Sequence, residues 1–211
     1  MTHTLHRKGT IESLSRDYVI HSMPTKGINK DGARPALQGF LRIARKYDPV
    51  NSGDGKRGNQ FGLEADDMYN NLTTITHAVF TDETKIAAIL KELKDEDLGM
   101  SVTTSGLLDK LFECCKHAGI TPHAMEHSLG VLGKTEKMIE PEIQQITTMC
   151  GHAMVSQGLV RRLIRKIKRG EMTPQEAGVE LARPCQCGVF NPVRAAELIE
   201  EHCALFGVTI K

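Results

Sequence analysis

The chain has 211 residues with 27 basic and 26 acidic side chains, so no excess charge draws it to nucleic acid or to an anionic membrane surface. That length supports one compact domain or two lobes sharing an interface. Tryptophan is absent and nine methionines help to fill an otherwise aliphatic core. Residues Met1 to Gly9 are polar and carry no apolar signal segment, and no apolar run is long enough to span a bilayer. The expected setting is cytoplasmic, with no membrane partner. In a reducing compartment, six cysteines concentrated late in the chain read as metal ligands or reactive thiols rather than as a disulfide framework.

In chain order, Asp17 to Met23 is β-branched at its centre and closed by Pro24, which predicts a strand. Ala33 to Lys46 places Leu37, Phe40, Leu41 and Ala44 at helical spacing, with cations late in the segment where they complement the helix dipole. Residues 48–66 are polar and rich in glycine. Gly53-Asp54-Gly55-Lys56-Arg57-Gly58 has the letters of a dinucleotide fingerprint, but neither a buried strand before it nor an apolar helix after it is apparent, so the stretch 51–62 is expected to be a mobile loop able to act as a lid. Thr73 to Phe80 predicts a second strand, Asp82 to Asp95 an amphipathic helix, Met100 to Thr104 a strand and Leu107 to His117 a helix. The strand, helix, strand order suggests a parallel crossover.

Beyond Thr121 strand signals fade and four prolines fall where a first helical turn tolerates them, predicting four or five helices. The fold class expected is α+β: a small N-terminal α/β lobe with a few strands (1–120) packed on a mainly helical lobe bearing the Cys/His motifs (121–211), or both as one compact domain.

Two motifs carry chemistry. Arg183-Pro184-Cys185-Gln186-Cys187-Gly188 holds two thiols one residue apart between a proline and a glycine, and Cys150-Gly151-His152 separates two soft donors by glycine. Each precedes a helix start, where free N–H groups favour thiolate. Together they offer a metal site of Cys150, His152, Cys185 and Cys187, with Cys114 as an additional ligand if one is needed. Cys115 and Cys203 lie on apolar stripes and read as core residues.

An iron–sulfur cluster fits the Cys-x-Cys spacing, because neighbouring thiolates can bind different irons; zinc is the alternative, although structural zinc sites usually space paired cysteines more widely. Such a cluster would serve redox or Lewis-acid chemistry, with an electron-transfer partner or a small-molecule substrate. His152, together with His123 and His127, four apart on an expected helical face, are the candidates for moving protons. In the zinc reading the chain is a binding module, and the basic run Arg161 to Arg169 contacts nucleic acid or an acidic partner. Nucleic acid is the less expected of those two, because aromatics and a recognition motif are lacking. The residues name no reaction.

Overall fold

The computed structural model describes residues 4–202. Its elements run α1 (Ile11–Leu14), β1 (Tyr18–Met23), α2 (Arg34–Arg45), β2 (Asn51–Asp54), β3 (Gly58–Asn59), α3 (Ala65–Asn70), β4 (Thr76–Phe80), α4 (Glu83–Glu96), β5 (Ser101–Ser105), α5 (Leu108–His117), α6 (Pro141–Thr147), α7 (Gln157–Lys168), α8 (Pro174–Ala182) and α9 (Pro192–Glu201). The fold is α+β. One antiparallel sheet in the order β3-β2-β4-β1-β5 forms its middle layer.

Helix starts follow local chemistry. Asp82 caps α4, Ser156 caps α7 and Asn191 caps α9, each side chain accepting a backbone N–H of the first turn. Thr173 and Glu176 form a reciprocal capping box at α8.

The expected parallel crossover is corrected. β4 and β5 run in the same direction but never touch, because β1 lies between them and pairs antiparallel with both. β1 is buried along almost its whole length, as a central strand must be. In the same way β1 and β2 flank β4, so two split β-α-β units interlock.

Strand alternation divides the interior. Tyr18, Ile20, Ala78 and Phe80 face one core with α2, α4 and α5, whereas Val19 and Val79 face a second core built from α6, α7, α8 and α9. The sheet is therefore the floor on which the Cys/His-bearing helices stand.

Two further expectations are corrected. The glycine-rich stretch 51–62 is no lid: Asn51 to Asp54 are fully buried in β2, which forms a hairpin with β3. Asp54 closes that hairpin by accepting the N–H groups of Lys56, Arg57, Thr73 and Thr74. The stretch containing His123 and His127 is irregular and exposed rather than helical. Pro122 and the left-handed Gly119, Gly130 and Gly133 interrupt any helix, and the segment has no continuous apolar face to bury. Cys203 lies outside the described residues. Among the described residues no helix is long and apolar enough to cross a membrane.

Candidate functional site

Cys150 is set by the end of α6. Ile146 and Met149 anchor that end in the second core, Cys150 N–H bonds to Thr147 C=O at 3.2 Å, and Ala153 N–H returns to Cys150 C=O at 3.0 Å. Ala153 takes a left-handed φ of 55°, which turns the chain so that the N–H groups of His152 and Met154 point at the Cys150 sulfur.

Cys185 and Cys187 follow α8. The N–H of Cys185 bonds to Ala182 C=O and the N–H of Gly188 to Cys185 C=O, both at 3.0 Å, so the Cys-x-Cys loop is one tight turn. The β2–β3 hairpin grips it. Buried Asn59 donates through Nδ2 to the carbonyls of Ala182, Arg183 and Cys185 at 3.0, 3.2 and 2.8 Å, satisfying the end of α8 from another part of the chain. Gln186 Nε2 donates to Lys56 C=O at 2.9 Å.

The three thiols meet. Cys185 shares hydrogen bonds with both Cys150 and Cys187, and Cys187 Sγ lies 3.7 Å from Nδ1 of His152. All three cysteines are buried while His152 is exposed, so the group is a core cluster with one solvent-facing edge.

The acidities are graded along this chain of sulfurs. The hydrogen bond to Cys185, with burial, pushes Cys150 far up. Cys185 is drawn down by Cys150, but its bond to Cys187 together with burial prevails and raises it to about 12. Cys187 is held below the ordinary thiol value: the hydrogen bond from Cys185 lowers it, burial opposes, and Val189 N–H assists. The downward shift expected of these thiols therefore belongs to Cys187 alone. It comes from N–H and S–H donors within the turn rather than from the N-terminus of α9, whose Arg194 N–H is taken by Asn191 Oδ1.

A buried ion network supports both cysteine loops. Asp17 pairs with Arg7 and with Arg194, placing two guanidinium groups on one carboxylate. Arg7 also donates to the carbonyls of Met149, at 3.3 Å, and of Val189. A single side chain thus ties the residue before Cys150 to the turn after Cys187, and it brings positive charge to the cluster's border.

Cys114 is not brought to this group. It lies in the other core across the sheet, where its thiol donates to Glu83 C=O at 3.3 Å and burial pushes its pKa up to about 11. It borders a groove of about 360 Å³ between α4 and α5 with Glu83, Lys110 and His117. His123 and His127 lie in the exposed irregular segment, and Cys115 is in the core with Cys114. Sequence reasoning missed Asn59, Arg7, His21 and His77; for the two histidines the signal was their place in β-branched strands at positions matching Val19 and Val79 in alternation.

Among the described residues, no group of three or more His, Cys, Asp or Glu side chains is placed so that it could hold a metal ion. The sulfurs are held as hydrogen-bonded thiols. No family model, curated protein or solved structure matches this chain.

Proposed function

We propose that this protein carries a metal centre on Cys150, Cys185 and Cys187, with His152 at its exposed edge, and that the centre is an iron–sulfur cluster serving redox or Lewis-acid chemistry. The observation that carries the reading is the meeting of three thiols from two loops in one buried hydrogen-bonded group. Buried thiols of raised pKa are poor nucleophiles, which argues against a thiol-exchange role for Cys150 and Cys185. Protons shared between sulfurs are instead what a cation displaces. The N–H groups of His152, Met154 and Val189 aimed at sulfur are the kind of donors that tune thiolate-bound iron. A bound cluster would supply electron storage or an electrophilic iron; the chain supplies sulfur ligands, N–H donors and, from Arg7, neighbouring positive charge.

Zinc is the second reading, favoured by the donor set of three sulfurs and one imidazole. In that case the exposed cations of α7, Arg162, Arg165 and Lys168, give the module a face for an acidic partner.

The test is iron, zinc and acid-labile sulfide analysis with a visible spectrum on protein purified without oxygen. Iron with sulfide, lost in Cys150→Ser and Cys185→Ser, supports the cluster. Zinc without sulfide supports the second reading, and metal content unchanged by both substitutions overturns the two together.

A further inference from the structure

We propose that the outer flank of α5 is a self-association surface, on which a second copy of this chain docks about a two-fold axis at Phe112. The inference stands apart from the metal reading, because α5 belongs to the core on the sheet face opposite the cysteine group.

Helical spacing sorts the side chains of α5. Leu111, Cys114 and Cys115 are buried, and Lys110, Glu113 and His117 line the groove toward α4. Leu108, Asp109, Phe112 and Lys116 share the remaining flank, one and two turns apart. Phe112 is 43% exposed, whereas Phe40, Phe80 and Phe190 are buried. It stands at the rim of a cavity of about 300 Å³ between β5, α5 and residues 120–126, walled by Leu90, Leu108, Leu111, Ile120 and Met125. An exposed ring beside an apolar cavity is the kind of anchor and pocket on which interfaces centre. Residues 121–126 stand beside β5, so the contact falls on the helix and not on the strand edge.

Charge identifies the partner. On this side of the fold Arg42 pairs with Glu96, Lys46 with Glu92, Lys91 with Asp95 and Lys110 with Glu83. Asp109 and Lys116 are exposed, and among the described residues neither makes a salt bridge. They lie on either side of Phe112. When a second α5 packs antiparallel across a two-fold axis at Phe112, each Asp109 meets Lys116 of the other copy, and each Phe112 ring reaches the other copy's cavity. A parallel pairing would set acid against acid and base against base, so the pattern selects the antiparallel contact. A stable interface takes about 800 Å² from each partner, more than one flank of a short helix offers. Met125, on the same cavity, extends the patch into a segment where Leu129 and Leu132 are 82% and 85% exposed.

The full chain would be examined by sedimentation equilibrium at low salt over a range of concentrations. A dimer is expected. Asp109→Lys and Lys116→Asp should each raise its dissociation constant at least about tenfold, by setting like charges together. Phe112→Ala should weaken it as well, and the double variant Asp109→Lys/Lys116→Asp should restore association, a rescue that a folding defect would not give. Circular dichroism on each variant checks the fold. A wild-type chain that stays monomeric throughout, a dimer indifferent to both single exchanges, or a double variant no tighter than the singles overturns the proposal.

Discussion

Gly188 and Gly53 meet backbone to backbone: a Cβ on Gly188 would stand 2.6 Å from the nitrogen of Gly53, and Gly188 holds a left-handed φ of 76°. That contact seats the Cys-x-Cys turn on the sheet, so glycine here serves packing as well as conformation. Gly188→Ala combines the left-handed cost of about 1–2 kcal/mol with a backbone collision that nothing flexible can relieve. Gly170 has nearly the same φ, 72°, but open space around it. Urea unfolding should therefore show a larger loss for Gly188→Ala than for Gly170→Ala, and only the former should unseat the cysteine loop and raise thiol reactivity. Equal losses would falsify the close-packing role.

Sulfur position separates the two faces of the sheet. Cys114→Ala should leave metal content unchanged and cost about 1 kcal/mol, the usual size for trimming a core side chain. Cys187→Ser should abolish metal binding with the same assay. Retention in both, or loss in both, would contradict the division of the cysteines between two cores.

The hairpin beneath the site has a pH signature. Burial alone would raise the Asp54 pKa, but the N–H groups of Thr73, Lys56 and Thr74 and the Thr73 hydroxyl outweigh it and hold the carboxyl below its ordinary range. With the folded value below the unfolded one, Asp54 contributes its full stability above the ordinary carboxylate range and loses it as pH falls through the folded value. The wild-type unfolding midpoint should drop below about pH 4. Asp54→Asn should cost about 2 kcal/mol at neutral pH, as expected for hydrogen bonds to a charged acceptor, and should flatten that acid limb. A limb of unchanged steepness would place the titrating groups elsewhere.

Periodicity revealed what local chemistry controls and little of what tertiary contacts decide. The segments that became α2, α4, α5 and α7 were legible in their apolar spacing, and Cys150, His152, Cys185 and Cys187 in their short separations. β2 was not, because Asn51-Ser52-Gly53-Asp54 has no strand propensity; it is buried through Asn51 Nδ2 bonding to Phe190 C=O and through the seat that Gly53 offers Cys187. Strand order was equally hidden, since β1 separates β4 from β5 only after all three exist. His21 and His77 read as ordinary strand residues until register set them side by side.

Asp17 is where stability and site geometry join. It is fully buried between Arg7 and Arg194, and Arg7 reaches on to the carbonyls of Met149 and Val189, at the two cysteine loops. Removing the carboxylate leaves two buried cations facing each other, a loss of about 3–5 kcal/mol for a broken buried pair. Asp17→Asn should therefore lower the urea midpoint severely, and the residual native protein should react faster with a thiol reagent at Cys150 and Cys187, because Arg7 no longer holds their loops together. Arg16 and Glu197 provide the control: both are substantially exposed, so Glu197→Gln should cost under about 1 kcal/mol and leave thiol reactivity unchanged. If Asp17→Asn proves as mild as Glu197→Gln, the buried network is not what braces the cysteine loops, and their geometry must depend on the hairpin and α8 alone.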